Sequence, residues 1–395
     1  MARVGEIWKK LILACLIIIA IHSTANFLLT KVSNTTTTTT TTLNEREKSV
    51  LLKSFNRKVD GTIDVTFNLD VENVKKETGK QITIKQTTEK VQYTPHPPPT
   101  IPQVYRGNDI CEKNKPTLII YVHSAPNNII RRSRLRQTWA DNNLFKDKYF
   151  QVVFVLGRPS SASVQENIDT ENKEYGDIIQ GDFKDQYRNL TLKAIFALKW
   201  LRDSCPSAKF ALKSDDDVFM NVFEIRKLTE EKKYQEDEKF LFCAFYHAKQ
   251  MPILRNPKTC MKWCVEDYEF PGEVTFPPYC AGLGFLLKTS AVPFLLDNVA
   301  KTPFFWIDDV YTTGLLVKNI PNLNIIDMSK KITMNSIEAI KLYKNNDKSL
   351  RAPIFILVSS GKQIKTLFKL SYLRLSDEEK KIVNFDVQKY NITTN

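Results

Sequence analysis

Three consecutive carboxylates, Asp215-Asp216-Asp217, follow the run Phe210-Ala211-Leu212-Lys213-Ser214 and precede Val218-Phe219-Met220. Like charges held this close repel and raise one another's pKa. A divalent cation offsets the repulsion, and hard carboxylate oxygens suit Mg²⁺ or Mn²⁺. An ion held there could bridge a nucleotide diphosphate and stabilise it as a leaving group. The same acids could also form a solvated turn or a helix cap. A second acidic pair, Asp308-Asp309, lies in the aromatic stretch Phe304-Phe305-Trp306-Ile307 to Tyr311. Apolar surroundings raise a carboxylate pKa and suit a general base. Attack by a sugar hydroxyl needs such a base on the face opposite the leaving group, as in inverting glycosidases. Either aspartate could instead cap a helix through Val310 to Val317.

Two further patterns bear on ligands. Arg131, Arg132, Arg134 and Arg136 precede Gln137-Thr138-Trp139, and on a helix Arg132 and Arg136 share a face. Arginine forks bind phosphate, although a basic helix face is often only solvated. Tyr279-Cys280-Ala281-Gly282-Leu283-Gly284-Phe285 carries two glycines into a strand, where the backbone could approach a ligand or bulge. It is not a dinucleotide fingerprint, since the third glycine and the following helix are absent.

These residues need elements to hold them. Thr117 to Val122 reads as a buried strand, Asn127 to Ala140 as a helix and Tyr149 to Leu156 as a second strand. Ser163 to Lys173 and Arg188 to Arg202 read as helices, and Phe210-Ala211-Leu212 as a strand running into the acidic cluster. Phe240 to Phe245 and Phe285 to Leu287 read as further strands. Strands alternating with helices predict a layered α/β fold, with ligands beyond the carboxyl ends of the strands, where the acidic cluster falls.

The chain has 395 residues, 42% hydrophobic content and a formal net charge of +13, which suits one large folded domain with accessory segments. Without a basic stripe interleaved with aromatics, nucleic acid is not expected as a partner. Leu11 to Thr30, after Arg3, Lys9 and Lys10, would span roughly 30 Å as a helix, the thickness of a bilayer core. The charge flanks predict a cytosolic tail (1–10), a signal-anchor (11–30) and a lumenal remainder. Ser23-Thr24-Ala25 could alternatively be a cleavage site. Residues 31–115, with the threonine run 35–42 and Pro97-Pro98-Pro99, show no helical period and read as a stem before a domain at 116–395. Sequons at Asn34, Asn189 and Asn391 agree with the secretory pathway. Six cysteines, Cys111, Cys205, Cys243, Cys260, Cys264 and Cys280, allow up to three disulfides there, with the pairing open. The Cys260/Cys264 spacing could suit zinc, but no second pair follows.

In matching order, the motifs resemble those of the β-1,3-galactosyltransferase family, which includes β-1,3-N-acetylglucosaminyltransferases and is related to Fringe. The resemblance runs from Pro116 to Val317. It rests on Arg132 to Trp139, Phe154-Val155-Leu156-Gly157, Glu174 to Ile179 with Asp182 to Tyr187 and Asn189 to Lys193, Lys213 to Phe219, Pro278 to Phe285, and Asp308-Asp309-Val310. It implies a GT-A, Rossmann-like mixed sheet flanked by helices, a UDP-sugar donor, Mn²⁺, and inverting transfer of galactose or N-acetylglucosamine. The acceptor would be a glycan on a glycoprotein or glycolipid, in the Golgi lumen. By position it implies that Asp217, with Asp215, ligates the metal and that Asp215 and Asp216 lie near the ribose and diphosphate. Arg132, Arg136, Lys193 and Gly282 would lie around the nucleotide, and Asp309 would be the base. The chain departs from the pattern in having no histidine after His247, in placing Gly314 one residue late, in carrying Cys264 where relatives often have an aromatic residue, and in showing no family motif after about Asn335. An inactive relative that partners an active transferase, or a tethered lectin, are the competing expectations. Intact Asp217 and Asp309 speak against the first, and the second predicts glycan binding without metal-dependent donor hydrolysis.

Overall fold

The computed structural model describes residues 51–57, 62–69, 89–92, 96–235, 239–345 and 352–385. The expected anchor at 11–30, the threonine run and the sequons at Asn34 and Asn391 lie outside them. Among the described residues no helix is long and apolar enough to cross a membrane.

The chain divides into two units. The smaller takes residues up to Pro95 together with Pro252–Val274. It contains a three-stranded antiparallel sheet of β1 (Leu51–Arg57), β2 (Thr62–Leu69) and β3 (Glu89–Gln92). An extended stem was the expectation here because a helical period is absent. The strand pattern is nevertheless present: Ile63, Val65, Phe67 and Leu69 alternate with Thr62, Asp64, Thr66 and Asn68, the period of a pleated strand. In Pro252–Val274, Ile253 N–H bonds the Val274 carbonyl at 2.9 Å. Cys260 and Cys264 are joined as a disulfide, which replaces the zinc reading.

The larger unit, His96–Met251 and Thr275–Asn395, is built on an eight-stranded mixed sheet. Its strands are β4 (Val104–Arg106), β5 (Leu118–His123), β6 (Phe150–Arg158), β7 (Ile178–Lys184), β8 (Phe210–Asp215), β10 (Lys239–Tyr246), β11 (Tyr279–Lys288) and β12 (Leu323–Asp327). β9 (Val218–Met220), β13 (Ile332–Thr333) and β14 (Phe355–Leu357) form a separate small sheet. The order in the large sheet is β12-β10-β11-β8-β5-β6-β7-β4. β5 is apolar and β-branched through Val122, and every residue of it is buried, as expected for a central strand covered on both faces. Helices Ile129–Arg136, Ala162–Tyr175 and Leu190–Ser204 connect β5, β6, β7 and β8, which run parallel. The outermost strand, β4, and the Cys111–Cys205 disulfide tie residues before Pro116 to this unit. Cys243–Cys280 links β10 to β11.

This order places β6 and β7 on one side of β5 and β8 on the other, so the winding reverses between β5 and β8. The carboxyl ends of two such strands diverge into a crevice, the usual ligand position in open α/β sheets. There His123, the last residue of β5, pairs in register with Asp215, the last residue of β8. The expected helix after Asp309 is broken up into a short turn, Asp308–Val310, a π-helix, Tyr311–Leu315, and a 3₁₀ turn, Leu316–Asn319. A π turn holds one residue more than an α turn, and Gly314 lies within it. Gly314 packs tightly all the same, since a Cβ there would meet the Pro278 carbonyl at 3.1 Å.

Candidate active site

The three aspartates at the end of β8 are placed very differently. Asp216 turns inward and is buried. Its carboxylate accepts from Ser124 Oγ at 2.7 Å, Asn128 Nδ2 at 2.8 Å and Arg131 Nη1 at 2.8 Å. With those partners it braces the loop after β5 and has little left for a ligand. Asp217 faces outward with 40% of its side chain exposed and, among the described residues, pairs with the exposed Arg131 at 3.2 Å. Asp215 is also 40% exposed and pairs with Lys213 Nζ at 2.8 Å. Desolvation raises its carboxyl to about 6 against the pull of Lys213.

The second acidic pair enters the same crevice. Asp308 Oδ2 lies 3.8 Å from Lys213 Nζ and 3.6 Å from His123 Nδ1. Asp309 has its carboxyl pushed up to about 7, first by desolvation and then by the Asp308 charge. Its backbone is fixed to β11: Thr313 Oγ1 donates to the Asp309 carbonyl at 2.6 Å and accepts from Cys280 N–H at 2.9 Å. Gly282 leaves the room that Asp309 occupies, for a Cβ at 282 would stand 3.0 Å from Asp309 Oδ2. The buried Lys213 joins the two acidic groups, since its ammonium contacts Asp215, lies near Asp308 and donates to the Gly282 carbonyl. Burial works against that charge, but Asp215 and Asp308 outweigh it and hold the lysine protonated.

The basic residues expected around a nucleotide are differently occupied. Arg132 is fully buried and forks onto Glu171, Nε to Oε1 at 2.8 Å and Nη2 to Oε2 at 2.6 Å. Its Nη1 reaches Ser124 Oγ at 3.1 Å and the Ala125 carbonyl at 2.7 Å. Arg136 forks onto Asp177, both contacts at 2.7 Å, and also reaches Glu171. Both arginines therefore brace the fold under the site instead of lining it. Lys193 is buried too, donating to the Ser124 carbonyl at 2.6 Å and pairing with Asp185 at 2.9 Å. Two buried cations, Arg132 and Lys193, and Asp216 thus converge on the segment Ser124–Asn128, while Arg131 is turned to the open side.

His123, Arg131, Lys213 and Asp308 belong to the site although they were not among the residues given a role. Lys213 and Asp308 stood within quoted motifs. His123 carried only a weak signal, a histidine at the end of an apolar strand. Its ring is buried, and among the described residues neither nitrogen has a hydrogen-bond partner. Burial first, then Lys213 and Lys193, hold it well below the usual histidine range, so the ring is neutral.

A divalent ion fits this arrangement in a limited way. Among the described residues no group of three or more His, Cys, Asp or Glu side chains is arranged to hold a metal by itself. Asp215 and Asp217, both open, offer the one or two carboxylates with which Mg²⁺-like ions are usually held when phosphate oxygens and water supply the rest.

Comparison with known proteins follows the same geometry. Residues 130–328 match the family model described as Galactosyltransferase. The chain is 34% identical over 223 residues to the Homo sapiens protein named beta-1,3-galactosyltransferase 5, covering 56% of this chain and 69% of that one. It is 30% identical over 217 residues to the Rattus norvegicus protein named UDP-GalNAc:beta-1,3-N-acetylgalactosaminyltransferase 1, covering 52% and 61%. Against the Homo sapiens beta-1,3-galactosyltransferase 4 the identity is 30% over 253 residues, covering 55% and 66%.

Proposed function

The chain belongs to the galactosyltransferase family and is a hexosyltransferase, and from that premise we propose that it transfers galactose or N-acetylglucosamine from a UDP-sugar, with inversion, to form a β-1,3 linkage on a glycan hydroxyl. The rat relative's name adds N-acetylgalactosamine to the donors worth testing. The observation that carries the reading is Asp309: a carboxyl raised to about 7, seated against Gly282, and adjacent to Asp308, which lies near the same lysine that pairs with the open Asp215. That pairs a base of suitable affinity with an adjacent anionic site for a cation.

Asp217 and Asp215 would hold the divalent ion, Mn²⁺ by expectation. When bound, it supplies charge neutralisation for the departing diphosphate. Asp309 accepts the proton of the acceptor hydroxyl as that oxygen attacks the anomeric carbon. Lys213 keeps Asp215 and the second acidic pair at fixed separation. Asp216 acts from beneath, by holding Ser124, Asn128 and Arg131. A GT-A fold accords with the parallel run β7-β6-β5-β8 and the crevice at its switch point. The Leu11 to Thr30 segment, with basic residues before it, favours a type II anchor and a Golgi lumenal domain.

UDP release by the purified lumenal segment tests the proposal, with Mn²⁺ or EDTA, across UDP-galactose, UDP-N-acetylglucosamine and UDP-N-acetylgalactosamine and a panel of acceptors. Release from one donor that EDTA abolishes is the expected result. Absence of both release and metal-dependent UDP binding would contradict it.

A further inference from the structure

Beside the acidic cluster lies a second feature. Helices Ile129–Arg136 and Gly361–Leu373 enclose an open groove of about 1110 Å³. Ile129 and Ile130 line it with 42% and 63% of their surfaces exposed. Arg134, Lys362 and Lys365 supply three cations, and no acidic residue lines it. None of the three forms an ion pair among the described residues, whereas Arg132 and Arg136 on the same helix are fully paired. Arg134 passes close over Gly361, where a Cβ would stand 2.7 Å from the arginine Cδ.

Both walls are tied to the acidic cluster. Arg131, next to Ile130, bonds Asp216 and Asp217. Val358, just before the serines that edge the groove, donates its N–H to the Asp217 carbonyl at 2.9 Å. A ligand in the groove would therefore lie alongside the donor site. The space exceeds what a diphosphate needs and is of the size that encloses a larger organic ligand. Exposed isoleucines suit the C–H face of a sugar ring. Cations without an ion pair among the described residues suit an anion, because charge-assisted contacts are the strong ones.

We propose that this groove is an acceptor subsite selecting glycans that carry an anionic group, a carboxylate or a sulfate or phosphate ester, near the hydroxyl to be glycosylated. The inference rests on the transferase reading above and names its acceptor class.

The test compares binding of the full chain, with UDP and Mn²⁺, to one oligosaccharide in neutral, carboxylated, sulfated and phosphorylated forms. An anionic form should be retained about tenfold more tightly than the neutral one, with the preference weakening as salt rises. The carboxylate and ester arms then show which anion is read. Arg134→Gln, Lys362→Gln and Lys365→Gln combined should abolish the preference while calorimetry shows UDP affinity unchanged. Each of the three side chains lies at the surface, and the single variants repeat the measurement should the triple variant fold poorly. Equal retention of neutral and anionic forms by the unmodified chain would overturn the proposal. Loss of UDP affinity in the triple variant would overturn it too, assigning the cations to the donor. Absence of metal-dependent UDP binding in the unmodified chain counts against the transferase reading itself, and the glycan preference is then judged from the binding series alone.

Discussion

At the scale of single residues the account turns on charges placed where they are costly. The folded protein raises Asp309 to about 7, so the carboxylate that accepts a proton is present above that value and lost as pH falls through it. Transfer rate should accordingly decline on acidification with a midpoint near 7. Removing the Asp308 charge by Asp308→Asn takes away one cause of the shift, and the midpoint should move to lower pH. An unmoved midpoint would separate the pH limb from this pair. The linked stability has the opposite sense. A carboxyl raised on folding stabilises the protein below its unfolded pKa and loses that contribution as pH rises through about 7. Asp309→Asn should therefore melt higher than the unmodified chain at alkaline pH, with the difference vanishing in acid. Gly282→Ala, whose Cβ would press on Asp309 Oδ2, should lower kcat with little change in melting temperature.

Elements explain why some residues resist being read from sequence. The arginine motif on helix Ile129–Arg136 was legible as a basic face, and arginines that grip phosphate look the same in sequence as arginines that grip buried acids. The deciding partners, Glu171 and Asp177, come from a different helix and the turn that follows it, 35 or more residues away. Leaving one side of that buried network unpaired is expensive. Glu171→Ala should cost about 3–5 kcal/mol in a denaturant titration, whereas an exposed pair such as Arg158–Asp182 should cost well under about 1 kcal/mol. The strands β5 and β6 were readable as apolar β-branched runs, and β8 and β10 as short apolar runs rich in phenylalanine. β2 carries its signal in alternation, Ile63, Val65, Phe67 and Leu69, and not in a helical period. The π turn after Asp309 is a different case, since its register depends on Gly314 meeting β11.

For the whole molecule, the six motifs scattered from Arg132 to Val310 gain meaning from the sheet order. The reversal between β5 and β8 brings His123 and Asp215 side by side, and the return of the chain after β11 delivers Asp308 and Asp309 to the same crevice. Sequence order supplied the list of acids; the lysine that joins them, and the neutral histidine beside it, needed the fold. Three disulfides, Cys111–Cys205, Cys243–Cys280 and Cys260–Cys264, agree with a chain expected in an oxidising compartment. The most direct test of the central claim is Asp309→Asn, assayed in parallel for sugar transfer and for Mn²⁺-dependent UDP binding, beside Asp217→Ala. The account predicts that Asp309→Asn binds UDP as the unmodified chain does while transfer falls at least about a hundredfold, and that Asp217→Ala loses both. Retention of most transfer by Asp309→Asn would contradict the assignment of the base.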